Sequence, residues 1–179
     1  MAHVGEQMVL NNDIFSPKIH SKPSLADLLT VETSVSIFYS YARELELSSS
    51  LTDENSKLTI LAPTNRAVMS SARKPHQSPE MTDEGVHISD EEYDRISKEN
   101  IQKWISCHII PNSPIDLDSP EAYPTLLDGK LVTFKPISKN DGKGSTWNRV
   151  TLDGGIKILN MREASNGVLY IIDGSIVPT

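Results

Sequence analysis

The chain has 179 residues and a formal net charge of −7, and hydrophobic residues make up 37% of it. This length suits one domain with some excess chain. The basic stripe that nucleic-acid binding needs is absent from the sequence, so nucleic acid is not expected as a partner. No apolar run reaches the roughly 20 residues of a membrane helix, so we expect membrane association only through segments outside this chain.

The first 22 residues are predicted to form an N-terminal arm that is ordered only if it docks. They show no signal-peptide pattern. One interpretation is that the chain is a fragment whose signal and anchors were removed, with residues 1–3 left by cloning. The domain proper is predicted over residues 23–179.

Two short helices are predicted next. Ser24, with Asp27 three residues later, forms an acidic variant of the capping box and opens the first helix. The second helix is predicted from about Ser34, and it has apolar side chains at i, i+3, i+4 and i+7. These side chains are Phe38, Tyr41, Ala42 and Leu45.

Residues 58–68 predict a buried strand that turns sharply into a helix. Alternation along the strand directs Leu58, Ile60 and Ala62 to one face and Leu61 to the other. Pro63 ends the strand ladder because it has no N–H to donate. Thr64 is then a suitable N-cap, and Asn65 is expected to hydrogen-bond locally.

Residues 69–88 are predicted to be an exposed, mobile loop because little apolar content is found there. The loop and its surroundings contain several candidate metal ligands. Their spacing matches no known ligand pattern, so no metal site is predicted. These residues are His76, Asp83, Glu84, His87 and Asp90.

Two further helices are predicted beyond this loop. A capping box of Ser89 and Glu92 opens a short one. A second carries Trp104 and His108 on its apolar face and is expected to continue to residue 110, where Pro111 stops it. We interpret His108 as a buried structural imidazole rather than a base or metal ligand, since no nucleophile or second ligand shares its spacing.

The remainder of the chain predicts short strands. A strand is expected over 130–135, a polar loop over 138–146, and strands over 150–152, 156–159 and 168–173. Residues 175–178 are expected to add a last strand or cap. Asn166 and Gly167 supply a turn, and Cys107, the single cysteine, excludes an internal disulfide.

Four of these stretches together resemble the fasciclin domain over about residues 24–178. The first reads Ala-Pro-Thr-Asn from Ala62, and the second is the apolar helix at 104–111 that contains His108. The third is Thr-Leu-Leu-Asp-Gly at 125–129. The fourth begins with Asn166 and Gly167 and ends at Asp173.

This resemblance implies an α+β fold, a fasciclin-like twisted β-sandwich or wedge with helices packed at one side. It also implies a non-enzymatic module for protein interaction or cell adhesion, with no catalytic residue, cofactor or metal. The residues that carry the resemblance are expected to be structural. They are Ala62, Pro63, Thr64, Asn65, His108, Asn166, Gly167 and Asp173.

The resemblance places the chain at the cell surface, in extracellular matrix, or in the lumen of a secretory compartment or vacuole, within a larger secreted or membrane-anchored protein. Protein partners are expected on the loops at 69–88, 112–124 and 136–148; the oligomeric state is left open. Two positions depart from the family: Tyr170 stands where many members have His, and Cys107 precedes His108 where an aromatic residue is common. Integrin binding is therefore not expected.

Two alternative functions stay open: binding of an apolar small molecule, and lumenal recognition within a vacuolar membrane protein. A hydrolase is disfavoured because the Gly-X-Ser-X-Gly elbow and a convincing carboxylate pair are both missing from the sequence.

Overall fold

The structure, a computed structural model, describes residues 22–78, 87–137 and 144–179. Within these ranges the chain forms four α-helices and eight β-strands. The helices are α1 Leu25–Val31, α2 Ser36–Ala42, α3 Asn65–Ser70 and α4 Asp90–Ser106. The strands are β1 Leu58–Pro63, β2 Ile109–Ile110, β3 Tyr123–Pro124, β4 Leu131–Val132, β5 Phe134–Pro136, β6 Val150–Leu152, β7 Ile156–Ala164 and β8 Gly167–Ile172.

Six strands form one mixed sheet in the order β2-β1-β8-β7-β6-β5, while β3 and β4 form a separate pair. The central strands β1 and β8 run parallel, and their register pairs Leu58 with Gly167 and Pro63 with Ile172. The other neighbours are antiparallel. With its helices early and its short strands late, the chain is α+β, as predicted.

The main sheet separates two apolar clusters. Ile60 and Ala62 of β1 contact the cluster that includes Phe38 and Trp104 of the helices. Leu61, on the opposite face of the same strand, packs into a second cluster built by the remaining strands and the connecting segments. The predicted alternation along this strand is therefore confirmed, and every residue of β1 is buried.

The predicted capping box of α1 is also confirmed. The backbone N–H of Asp27 donates to Ser24 Oγ at 3.2 Å, and the Ser24 N–H donates to the Asp27 carboxylate at 2.9 Å. The Asp27 carboxylate therefore has a pKa below its ordinary value because it accepts hydrogen bonds from Ser24.

Asn65 was expected to hydrogen-bond locally, but its side chain bonds to another helix instead. Thr64 caps α3, accepting a hydrogen bond from the Ala67 N–H at 3.1 Å. The Asn65 amide oxygen instead accepts from the Ile37 N–H at 2.9 Å, and its amide nitrogen donates to the Thr33 carbonyl at 3.0 Å. Since α2 has no side-chain cap of its own, Asn65 satisfies one N–H, that of Ile37, which this helix would leave unpaired.

Asn65→Ala is therefore expected to lower the free energy of unfolding by about 1–2 kcal/mol, as for the loss of an N-cap. Chemical unfolding measures the change. The matched control is Arg66→Ala, at the exposed neighbouring position, which should change stability by less than about 0.5 kcal/mol. Equal effects of the two substitutions would contradict the capping role.

Helix α4 differs from the sequence expectation of two helices. It runs unbroken through residues 90–106, and Arg95 bridges Glu92 and Glu99 on its exposed face. It also ends earlier than predicted, at Ser106, because Ile109 and Ile110 pair with β1 as strand β2. Pairing with β1 satisfies backbone groups that a continued helix would have bonded internally.

The strand predictions need three corrections. The strand expected over 130–135 is divided at Thr133, whose N–H donates to the Asp153 carboxylate at 3.0 Å, so that β4 pairs with β3 and β5 with β6. Strand β7 continues past residue 159 to Ala164, across a register irregularity near Asn160. Residues 175–178 form no strand.

The segment 69–78 also differs from the predicted exposed loop. Its first two residues belong to α3. Pro75 is buried, Lys74 and Gln77 close a turn, and the Asn100 side chain of α4 donates to the His76 carbonyl at 3.1 Å. Residues 79–86, residues 138–143 of the predicted polar loop and residues 1–21 of the predicted arm lie outside the described residues. None of the helices described is long and apolar enough to span a membrane.

Candidate recognition clefts

Trp104 and His108 form a buried hub between α4, α2 and the C-terminal segment. The Trp104 ring packs 5.7 Å from Phe38 and 4.9 Å from His108, measured between ring centroids. Its indole N–H donates to Ser175 Oγ at 2.8 Å. The hub therefore fixes the end of α4 against the last residues of the domain.

Both ring nitrogens of His108 are occupied by backbone groups. Nδ1 lies 2.6 Å from the Trp104 carbonyl oxygen and must donate to it, while Nε2 accepts from the Ile176 N–H at 3.0 Å. Burial lowers the pKa of His108 to about 4. The imidazole is neutral and fully hydrogen-bonded, so neither nitrogen is free to act as a base.

Cys107 lies next to His108, and the two side chains resemble a nucleophile–base pair by distance alone. The Cys107 Sγ atom is 3.3 Å from His108 Nδ1, but that nitrogen carries the proton donated to Trp104. Burial raises the pKa of the Cys107 thiol to about 12. Because the thiolate is the reactive form, this buried pair does not provide a nucleophile.

The environment of His108 predicts a pH dependence of stability. The folded-state pKa of about 4 lies below the ordinary 6.5, so the unfolded chain binds more protons between these values. The contribution of neutral His108 to the free energy of unfolding is therefore fully present above pH 6.5 and is lost as the pH falls toward 4. This loss is roughly 3 kcal/mol at most. The free energy of unfolding, measured at pH 7 and at pH 4.5, should fall less in His108→Gln than in the unmodified protein, because glutamine keeps polar groups but does not titrate. Equal losses in the two proteins would contradict the assignment of the pH dependence to His108. If the variant does not fold, NMR titration of the His108 ring in the unmodified protein must show the lowered pKa.

Asn166 and Asp173, which bracket β8, both bond across the structure. The buried Asn166 side chain accepts from the Leu25 N–H at 2.8 Å and donates to the Leu51 and Asp53 carbonyls at 2.9 and 3.2 Å. Asp173 accepts from the Lys157 N–H at 2.8 Å. Asn166 thus accepts from the first N–H of α1, in addition to the Ser24 capping box, as Asn65 accepts from an N–H of α2.

The remaining motif positions lie at the centre of the main sheet. In β1, Ala62 pairs with Ile171 and Pro63 with Ile172 of the parallel strand β8. Gly167, opposite Leu58, provides the close approach between these two strands. The eight motif positions expected to be structural are therefore in or beside the scaffold, and none of them lines either cleft described below, although Trp104 of the second motif stretch does.

The loops that we expected to bind partners line two open clefts. One, which we call the acidic cleft, has a volume of about 510 Å³ and lies on the sheet face opposite the helices. Its walls are residues 114–118, residues 145–147 and four side chains of β7 and β8. These four are Met161, Glu163, Val168 and Tyr170.

The wall at 114–118 is held in place by its neighbours. Leu117 is buried in the second apolar cluster. The Tyr123 hydroxyl donates to the Asp116 carbonyl at 2.8 Å and accepts from the Asp116 N–H at 3.1 Å. Thr59 Oγ1 donates to the Asn112 carbonyl at 2.7 Å. This side of the acidic cleft is therefore pre-organised by the scaffold.

All the charged side chains that the structure describes in the lining of the acidic cleft are carboxylates. Asp116, Asp118 and Glu163 line it, with no Lys or Arg among the lining residues. At its rim Glu163 pairs with Lys22 at 2.6 Å, and both side chains are about half exposed. In the part of the chain that the structure describes, no three His, Cys, Asp or Glu side chains are grouped closely enough to hold a metal ion.

The second cleft is basic and lies beside Trp104. It has a volume of about 630 Å³ and is bounded by residues 71–78, α4 and residues 175–179. Its charged lining residues are Arg73, Lys74 and Lys103. Lys74 is engaged by the Met69 and Ser71 carbonyls.

Comparison with known proteins agrees with this architecture. The family model for the fasciclin domain matches residues 33–178. The chain belongs to the fasciclin domain family. The predicted resemblance is thereby confirmed, as is the fold class that it implied.

Relatives of this fasciclin domain occur in fungi. A FAS1 domain-containing protein of Aspergillus fumigatus is 36% identical over 158 residues, which cover 85% of this chain. A FAS1 domain-containing protein of Saccharomyces cerevisiae is 28% identical over 173 residues, covering 86% of this chain. The match spans 62% of the length of each of these relatives.

Among solved structures, the fasciclin domain is similar to a FAS1 domain pair from the insect cell adhesion molecule Fasciclin I. The TM-score is 0.51 at 19% identity, and the match covers 80% of this chain and 45% of the insect chain. At this identity the likeness supports the fold. Fasciclin domains are a family of adhesion-type modules and are generally not enzymes.

Sequence reasoning identified the loops but missed the acidic cleft. The three carboxylates come from positions 116, 118 and 163, and only the β8-to-β7 pairing and the fold of the 112–124 segment bring them together. Tyr170 was noted only as a departure from the family's His. Its alternation with Val168 on β8 indicated that both face the same side of the sheet.

Proposed function

We propose that this fasciclin domain is a non-enzymatic protein-recognition module of a secreted or membrane-anchored protein, acting at the cell surface or in a secretory or vacuolar lumen. The observation that carries the proposal is the acidic cleft, in which two of the loops expected to bind partners meet on a pre-organised wall. Loops on a rigid scaffold are the usual site of specificity.

The chemistry of the buried groups supports recognition without turnover. Cys107 and His108 are the buried pair nearest to a catalytic arrangement, and both are committed to backbone hydrogen bonds. The acidic cleft carries carboxylates beside aromatic side chains, a combination suited to binding polar and apolar groups together.

Binding of an entirely apolar small molecule is less well supported. Both clefts are open, and each has charged side chains in its walls. An apolar ligand would leave these charges desolvated without a partner, which is costly. A protein surface can present complementary charge and apolar contact in one interface.

The test is retention of proteins from a native membrane extract by the immobilised chain. Replacing residues 145–148 with Gly and Ser removes one wall of the acidic cleft, and we expect at least a ten-fold loss of the retained partner. The matched control replaces Ala72 and Arg73, which are exposed at the basic cleft. Unfolding curves must show that both variants fold.

Loss with the 145–148 variant alone would support recognition at the acidic cleft. Loss with the control alone would move recognition to the basic cleft and contradict the proposal. Full retention by both variants would contradict recognition through either of these loops.

A further inference from the structure

Among the described residues, the three carboxylates that line the acidic cleft have only two cations beside them, Lys22 at the rim and Arg149, which bonds to the lining Thr146 at 3.4 Å. Among residues 22–78, 87–137 and 144–179, no cation lies within salt-bridge distance of Asp116 or Asp118. Asp118 is exposed. The one neighbouring ion pair, Lys22 with Glu163, is exposed on both sides and therefore weak, so an incoming cation can replace it.

A second and independent feature is a hydrogen-bonding group in the cleft that lacks a partner. Tyr170 lines the cleft and is only 5% exposed, and its hydroxyl makes no hydrogen bond to any residue that the structure describes. Among the described residues, the buried side-chain atoms that lack a partner are Ser97 Oγ and Arg149 Nε, so the Tyr170 ring is buried while its hydroxyl reaches the open cleft, where a ligand can bond to it. Burial and, secondarily, the charge of Glu163 raise the pKa of Tyr170, so the hydroxyl keeps its proton.

The cleft also offers an aromatic and thioether surface beside the carboxylates. Trp147, which is partly exposed, and Met161 both line it. Aromatic faces attract cations, and a guanidinium group in particular stacks on them while its edge donates to carboxylates. The combination of indole, carboxylate and phenol matches an organic cation with a flat face.

A metal ion does not fit this arrangement. The carboxylates of the cleft are not grouped closely enough to coordinate one ion together, whereas a divalent cation needs several oxygen ligands at 2.0–2.6 Å. A long side chain that carries several donors can contact carboxylates that are farther apart. The spacing therefore favours an extended cation over a point charge.

We propose that the acidic cleft binds an arginine side chain presented by a protein partner, with the guanidinium between Trp147 and the carboxylates of Asp118 and Glu163. The inference rests on the proposed function and specifies its partner chemistry. Apolar residues flanking that arginine would contact Met161 and Val168, which also line the cleft.

The probe is a nine-residue peptide with one central arginine between apolar residues, titrated into the ¹⁵N-labelled full chain and followed by amide chemical shifts. The comparison peptide carries citrulline, which has nearly the shape of arginine without its charge. We expect the arginine peptide to bind at least ten-fold more tightly, with shifts confined to residues 114–118, 145–147 and 161–170. The affinity should fall as salt is raised.

Three variants identify the groups involved. Asp118→Asn with Glu163→Gln should weaken arginine-peptide binding at least ten-fold. Glu91→Gln with Asp94→Asn removes one Glu and one Asp charge from the exposed face of α4, matching the cleft variant, and should leave the affinity for the arginine peptide within two-fold. Tyr170→Phe keeps the buried ring, removes the hydroxyl and should weaken binding several-fold.

Equal affinities for the arginine and citrulline peptides, or equal weakening by the cleft and α4 variants, would overturn the inference. Dimerisation in sedimentation experiments that is lost in the cleft variant would also overturn it, because the occupant would then be the basic cleft of a second copy. If the 145–148 replacement abolishes partner retention while the peptides do not discriminate, the proposed function stands and this inference fails. If retention survives that replacement, the proposed function itself fails.

Discussion

Gly167→Ala is expected to destabilise the domain by at least about 4 kcal/mol. An added Cβ at this position would lie 2.0 Å from the Leu58 carbonyl oxygen and 2.9 Å from Leu25 Cδ1. The first of these is a backbone atom in the parallel β1–β8 pair, so it cannot move away without opening the centre of the sheet. Equilibrium chemical unfolding measures the loss, and failure to fold would be its extreme form.

The matched control is Gly129→Ala. Gly129 has a φ of 75°, but an added Cβ there meets nothing within 4 Å, so only the backbone conformation is penalised, by about 1–2 kcal/mol. A larger loss at Gly129 than at Gly167 would contradict the close approach as the reason for glycine at 167.

Trp104→Ala is expected to cost about 3–5 kcal/mol. The substitution leaves a cavity beside Phe38 and His108, and it removes the indole N–H that donates a hydrogen bond to Ser175 Oγ. Unfolding by denaturant measures the effect. Trp104→Phe, which retains most of the apolar volume, should recover more than half of the loss.

The chain's other tryptophan provides a comparison. Trp147 is partly exposed in the acidic cleft, so Trp147→Ala should cost no more than about 1 kcal/mol. If Trp104→Ala is as stable as Trp147→Ala, the end of α4 does not depend on the buried Trp104 ring.

Local signals in the sequence predicted the elements whose determinants are local. The Ser24 and Asp27 capping box, the alternation in β1 and the Thr64 cap each depend on residues within a few positions of one another. The family motifs added the global fold. The two asparagine caps could not be predicted from spacing, because Asn65 and Asn166 bond to residues 28 and 141 positions away.

The incorrect secondary-structure predictions also arise from contacts between residues that are distant in the sequence. Ile109 and Ile110 continue a helical apolar pattern, but pairing with β1 makes them a strand. The β4–β5 division depends on Asp153, which accepts from Thr133 across 20 residues. In both places a tertiary hydrogen bond overrides the local preference of the sequence.

The candidate site shows a similar division between what is local and what is not. Polar composition indicated which loops would be exposed, yet nothing local indicates that Asp118 and Glu163 share a cleft with Trp147 and Tyr170. The sheet register and the buried anchor Leu117 determine that grouping. The placement of recognition on these loops stays a prediction, and the structure adds the charged and aromatic side chains that line the cleft.

The central claim is that the motif residues build the scaffold and that the acidic cleft recognises the partner. Hydrogen–deuterium exchange of the full chain, free and bound to a protein that it retains from native membranes, tests this claim most directly. We expect slower exchange on binding at residues 114–118 and 145–147, with no change at residues 101–108 around the Trp104 hub. Slower exchange confined to residues 71–78 and 175–179, or to the hub itself, would contradict it.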